Sequence, residues 1–353
     1  MKIGAIYSAS DKSMYDALNQ KNVTNSDLRQ LFLSRGILVS PNSSRKNLAS
    51  HFARIFHDFD DYQTLARLFG AGTKRDKFST LKLKTDAEVA DLQTAAIEIK
   101  SKLEEEGAVV KVFSTSGNRM DIEVKYPKVS FNKSEFRQVT QKTARITFFK
   151  EDGGFSVHST DVDDVSEWIN EVAKQIKESS GKDIKFDEIE LPPTFDSKKK
   201  SLFLKNLINS MDGFTAEDVT DVYVSKPKGW SKDSQEEIRI EKASLRGLGV
   251  LYSGELKGLE DNHGFYVSRI VWTAKTKQVD TDLYEFEAQF SQADECKGFA
   301  YLARGFYKYI STGIFNTTRT GLSHEDEIKY GQLIEKAARK VLLNLQGEAD
   351  DQA

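Results

Sequence analysis

The chain is poor in the residues that staple or punctuate a fold. Its one cysteine, Cys296, excludes an intramolecular disulfide framework and a cysteine-built zinc site, and it fits a reducing, cytoplasmic setting. Five prolines leave little material for rigid linkers. The five histidines show no HExxH spacing. Gly247, Gly249, Gly254 and Gly258 punctuate one stretch but match neither Walker nor Rossmann spacing. No apolar run is long enough for a membrane helix, and MKIGAIYSAS lacks the extended apolar region and cleavage pattern of a signal peptide. The expectation is a cytoplasmic chain with no membrane contact, no cofactor and no metal.

What is present is a polar but foldable composition. Charged residues make up 30% and apolar residues 39%, and 22 Phe with 12 Tyr supply a core, so disorder is excluded as the general state. A length of 353 residues predicts two domains, or a domain with a small module.

The most informative stretch runs from Thr24 to Phe69. Asn25, Ser26 and Asp27 offer N-cap side chains, and Leu28, Leu31 and Phe32 fall on one helical face. Gly36 stands where that helix should stop. The turn residues Ser40–Ser44 precede a second helix carrying Leu48, Phe52, Ile55, Phe56 and Phe59 at helical spacing. A third segment places Tyr62, Leu65, Leu68 and Phe69 together. From Leu28 to His57 stand Arg29, Arg35, Arg45, Lys46 and Arg54, and no acid, in a chain whose formal net charge is −3. A basic surface on a slightly acidic protein is the footprint expected of phosphate binding.

Residues 27–52, DLRQLFLSRGILVSPNSSRKNLASHF, resemble the SAP and helix-extension-helix family of small DNA-binding modules. Arg35-Gly36, Val39-Ser40, Arg45-Lys46 and Leu48 match that pattern in order, with a linker from Ser40 to Leu48 longer than usual. The resemblance implies phosphate-backbone contacts to DNA through Arg29, Arg35, Arg45 and Lys46; the run of positive charge adds Arg54, and Lys74 and Arg75 of the following basic segment, to the same expected surface. The plain alternative is a helical hairpin whose basic face is merely solvated.

The remainder predicts an α+β fold: the small helical module at 1–70, a basic linker at 71–84, and two α/β modules at 85–180 and 181–346, each a mostly antiparallel sheet flanked by helices. Residues 347–353 form an acidic tail. In the first α/β module, helices over 86–106 and 162–178 flank strand-like runs at 108–113, 120–127, 143–149 and 155–159. The second repeats that order: a strand-like bridge at 182–191, a helix over 197–211, runs at 219–225, 237–245, 265–275 and 283–291, then helices from about Asp294 to Ile310 and from His324 to Gln346.

Four other patterns bear on chemistry. Asp121, Glu123 and Lys125 on one strand are similar to the metal-binding core of restriction-type nucleases, where carboxylates hold magnesium and a lysine polarises water. The same residues alternate with Met120, Ile122 and Val124, which is what any half-wet strand does. Arg319 and His324 have an R-x4-H spacing similar to HEPN-type ribonucleases, a spacing common by chance. KPKGWSK, with Lys226, Lys228, Trp230 and Lys232, could stack on a base and hold phosphates. Lys198–Lys200 lies in a helix's first turn, where positive charge opposes the helix dipole. No catalytic constellation outweighs its plain reading, so the expected role is a DNA-binding accessory protein of a bacterial DNA-transaction or phage-defence system. The alternatives are a metal-dependent nuclease and a non-catalytic subunit that binds a protein partner.

Overall fold

The computed structural model describes residues 10–20, 23–57, 64–65, 76–115, 118–130, 132, 136, 139–226, 242–246, 249, 251 and 253–350. Among them are eight helices and thirteen strands, eleven of which form one mostly antiparallel sheet. The chain divides into two compact units, one of Met1–Arg75, Ala96–Phe113 and Ile122–Arg145, the other of Asp76–Ala95, Ser114–Asp121 and Ile146–Ala353.

The opening module is three short helices: α1 (Asp11–Leu18), α2 (Asn25–Ser34) and α3 (Arg45–Ala53). Serine and threonine side chains start each one. Ser10 accepts from the Ser13 amide, Thr24 from Asp27, and Ser44 from Asn47. The α2 start is a full capping box, since the Asp27 carboxylate reaches back to the Thr24 amide at 2.8 Å. The cap is therefore Thr24, one residue before the expected Asn25–Asp27 set. The bond from the Thr24 amide, and a second from the Thr24 hydroxyl to the same carboxylate at 2.7 Å, hold the Asp27 carboxyl below its ordinary value. Gly36 ends α2 with φ +71°, as anticipated. Met14, Leu18, Leu28, Phe32, Leu48, Phe52 and Phe136 form the core, with the Phe32 and Phe52 rings edge to face at 5.1 Å. The second helix is shorter than its apolar spacing suggested. It stops at Ala53, and Phe56 is 84% exposed. The stretch KIGAIY and the residues Phe59, Tyr62, Leu68 and Phe69 lie outside the described residues.

The strands are β1 (Phe78–Lys84), β2 (Val109–Thr115), β3 (Arg119–Val129), β4 (Val139–Glu151), β5 (Gly154–Thr160), β6 (Lys185–Glu188), β7 (Phe214–Ser225), β8 (Lys242–Arg246), β9 (Tyr266–Thr276), β10 (Leu283–Gln292), β11 (Lys297–Tyr307), β12 (Tyr309–Ser311) and β13 (Ile314–Phe315). The remaining helices are α4 (Val89–Glu105), α5 (Asp163–Ser180), α6 (Ser197–Leu207), α7 (Gly254–His263) and α8 (His324–Asp350). The large sheet runs β2-β3-β4-β5-β1-β11-β10-β9-β7-β8, with β6 beside β1, and β12 pairs only with β13.

Three expectations are corrected here. Residues 78–84 are not linker but strand β1, which pairs with β5 along its whole length, with β11 at Phe78–Ser79, and with β6 from Leu81 to Lys84. Its lysines hid a period-two pattern. Residues 297–307 are strand β11, not helix. The turn before it uses Cys296 at φ +53°, its second residue Gly298 has φ +64°, and Phe299–Ala303 is buried on both faces, which erases the alternation that marks a half-wet strand. The third correction follows from the first two. Because β1 bonds both β5 and β11, the strands expected in two separate modules share one sheet. The glycine-punctuated stretch also holds a helix, α7, capped by Ser253 and ended by Gly264 at φ +62°. Most of the expected strand at 237–245 lies outside the described residues.

One face of β7, β9, β10 and β11 packs against α6 and α8. Phe203, Leu204 and Leu207 from α6 and Tyr330, Ile334, Ala337 and Val341 from α8 meet Ile270, Trp272, Phe286, Phe290, Phe299 and Tyr301. Burying each large side chain stabilises the fold by roughly 1.5–3 kcal/mol, before conformational entropy is counted. Two glycines permit close approaches. A Cβ at Gly154 would stand 1.9 Å from the Leu83 carbonyl oxygen, and one at Gly331 would stand 2.7 Å from the Tyr301 hydroxyl.

Candidate nucleic-acid interface

The five cations of the opening module do two different jobs. Arg29 donates to the Pro41 carbonyl and closes the loop between α2 and α3. Arg35 donates to the Phe56 carbonyl at 2.7 Å and holds the chain that leaves α3. Arg45 donates to the Leu18 carbonyl at 3.1 Å and to Gln20, so it satisfies carbonyls that the end of α1 leaves without helical partners. These three arginines therefore build the module. Lys46 and Arg54 are exposed and have no acidic partner among the described residues. Lys46 sits in the first turn of α3, where Asn47 is the amide that Ser44 caps. Positive side chains there oppose the helix dipole, and an anion at that end would be attracted by both. Lys74 and Arg75 lie outside the described residues, as do Lys228, Trp230 and Lys232. Lys226 is described and lies 5.0 Å over the Phe265 ring. Beside the cations, Leu38 is 87% exposed, and Leu33 and Ile37 are also open to solvent.

The residues read as a nuclease core are engaged otherwise. Asp121 accepts from Arg119 at 2.8 Å and from the Thr147 hydroxyl at 2.7 Å, while Arg119 also bonds Glu325 at 2.9 Å. Glu123 pairs with Arg145 at 3.4 Å and Lys125 at 3.7 Å. Met120, Ile122 and Val124 are buried between them, the amphipathic strand of the plain reading. Among the described residues no group of three His, Cys, Asp or Glu could hold a metal ion. Arg319 binds Glu285, while His324 stands 4.0 Å from Glu327, so the R-x4-H pair has separate partners. Lys198 pairs with Asp261 at 3.2 Å, and Lys199 and Lys200 lie over the rings of Phe195 and Tyr266.

Two charged clusters escaped the sequence reading. One is a buried chain on β5, β11 and α8. His158 Nδ1 lies 2.9 Å from the Tyr301 hydroxyl and Nε2 lies 3.2 Å from Glu335, whose other oxygen accepts from Arg339 at 2.9 Å. Arg339 also bonds Asp187 at 3.0 Å, beside a cleft of about 570 Å³ lined by Lys82, Lys84, Gly153 and Gly154 among others. The other cluster centres on Glu285 and Glu287 of β10. Its only trace in the sequence is the alternation of glutamate with Phe286 and Ala288, which also describes an ordinary wet strand. No family model and no curated protein matches the chain.

Proposed function

We propose that the chain binds the phosphate backbone of DNA through its opening helical module, as an accessory protein rather than as a nuclease. The observation that carries this reading is the division of labour among the cations. Arg29, Arg35 and Arg45 are spent on carbonyls, while Lys46 and Arg54 stand exposed in a segment that holds no acid from Leu28 to His57. Two exposed cations, backed by three partly engaged ones, support weak and salt-sensitive affinity rather than base readout. A host-defence setting remains part of the proposal only as context for such an accessory role.

Duplex binding by the full chain across a salt series tests it. Wild-type protein binds at low salt, and Lys46→Gln with Arg54→Gln lowers the slope of log affinity against log salt by about 2, from about 0.9 per phosphate contact removed. Arg45 is the wrong residue for this test, because its side chain also bonds the Leu18 and Gln20 carbonyls, so its loss alters the module's own structure as well as its charge. Absence of binding at low salt, or an unchanged slope in the double variant, sinks the reading. In that event exposed Leu38 and Phe56 make docking of a protein partner the better account of the module.

A further inference from the structure

On β9, β10 and β11, the face opposite the α6/α8 core carries charge in place of apolar side chains. Glu287, with its side chain 4% exposed, receives three cations: Lys77 Nζ at 2.5 Å, Arg269 Nε at 2.7 Å and Arg304 Nε at 3.6 Å. Its neighbour on the same face, Glu285, receives Arg304 Nε at 3.4 Å, Arg319, and the Tyr307 hydroxyl at 3.3 Å. Lys77 also reaches Gln289. The Arg269 guanidinium stacks 4.4 Å from the Tyr223 ring. Four cations thus converge on two glutamates. Asp161, with Asp76 and Asp163 near it, acts on Lys77 from further off and accepts from Ser291 at 2.8 Å; within ion-pair distance, among the described residues, the four cations meet only Glu285 and Glu287.

Ion-pair ladders that serve only the fold match their charges, since an unmatched buried cation is costly. Here the excess is cationic and half-buried. The glutamates engage Arg269 and Arg304 through Nε, so neither carboxylate takes up the terminal fork that grips oxyanions in two parallel bonds. Glu287 sits between the two arginines and holds both at once. A rigid pair of guanidinium groups, an ammonium and a tyrosine ring on one sheet face is the equipment of a phosphate site, and a phosphomonoester brings about −1.5 to −2 charges at neutral pH, the sign and size that the excess calls for.

We infer that this sheet face binds a phosphoryl group through Arg269 and Arg304, with Lys77 and Arg319 beside them and Arg269 stacked on Tyr223. The site uses neither Lys46 nor Arg54 and does not depend on the DNA-binding reading. The source of the phosphate, a free nucleotide or a nucleic-acid chain, is decided by the ligand series below.

The experiment is equilibrium dialysis and thermal unfolding of the full chain with inorganic phosphate, a mononucleotide and a single-stranded oligonucleotide, each against chloride at equal ionic strength. Saturable binding and a raised melting midpoint are expected for at least inorganic phosphate, with the mononucleotide tighter. Arg269→Lys with Arg304→Lys keeps the charges on the glutamates but removes the forks, and weakens binding about tenfold or more while the ligand-free midpoint stays near wild type. Lys46→Gln with Arg54→Gln leaves this binding unchanged, so failure here and failure of the DNA reading are told apart. Tighter binding of the oligonucleotide than of the mononucleotide, lost in the lysine pair but not in the glutamine pair, assigns the site to nucleic acid. If phosphate and the nucleotide bind no better than chloride, or if the lysine pair binds like wild type, the inference is wrong.

Discussion

His158, Tyr301 and Glu335 show how much can turn on single atoms. Tyr301 is buried, and its hydroxyl finds its partner in His158 Nδ1 at 2.9 Å. The other ring nitrogen of His158 donates to Glu335. Burial is the largest influence on the Glu335 carboxyl and pushes it up, but the bonds and charges of His158 and Arg339 outweigh it, and the carboxyl lies below the ordinary glutamate value of 4.5. The sign follows. A carboxyl held lower in the folded state than in the unfolded chain stabilises the fold above the unfolded value, and that contribution disappears as pH falls through the folded one. Wild-type protein and Glu335→Gln should therefore differ in urea midpoint by a constant amount from neutrality down to about pH 5, with the gap closing in more acid solution. Parallel curves down to pH 3 would show that the pair contributes nothing through its charge. Nothing in the sequence announced this trio. Its members lie on three elements far apart in the chain, and each has an ordinary environment for its own element. The basic module was legible because its charges fall in one stretch without an acid, yet the split between the cations that bond carbonyls and the exposed Lys46 and Arg54 depends on carbonyls that no sequence pattern marks.

At the scale of elements, what could be read was whatever is local. The end of α2 at Gly36 and the half-wet strand β3 follow from patterns a few residues long. Strands buried on both faces could not be read this way. β5 is buried at every position and β11 from Phe299 to Ala303, so their character is set by partners rather than by period. The hairpin between β4 and β5 offers a sharp test of such a partner. Gly153 and Gly154 both have positive φ, at +80° and +147°. A Cβ at Gly153 meets nothing within 4 Å, so Gly153→Ala costs only backbone strain of about 1–2 kcal/mol. A Cβ at Gly154 meets the Leu83 carbonyl, which is backbone and cannot swing aside. Gly154→Ala must therefore push β1 off β5, at a cost of about 3 kcal/mol or more. Comparing the two melting midpoints checks this, and equal losses would mean that the β1–β5 contact is softer than the geometry requires.

For the whole molecule the decisive element is β1, the strand that composition disguised as a linker. It lies between β5 on one side and β11 and β6 on the other, so strands from the first and second halves of the sequence hold each other in register. Several ion pairs and hydrogen bonds span the same divide: Lys84 with Asp187 at 2.6 Å, Lys77 with Glu287, Lys182 with Asp91 at 2.8 Å, and His158 with both Tyr301 and Glu335. Two independent α/β modules would survive a cut between them. One shared sheet should not. The natural place to cut is between Ser180 and Gly181, in the turn that ends α5 at φ +69°. Fragment 1–180 leaves β1 and β5 without β11, β6 and α8. Fragment 181–353 exposes the β1-facing edge of β11 and leaves Glu335 and Glu287 without His158 and Lys77, and an open strand edge with unmatched buried charge favours aggregation. Neither fragment alone should show native near-ultraviolet dichroism or a cooperative melt, whereas the two co-expressed should elute as one complex with a melt close to that of the intact chain. A cooperative melt of fragment 181–353 by itself would restore the two-module description and reduce β1 to the connector that its lysines suggested.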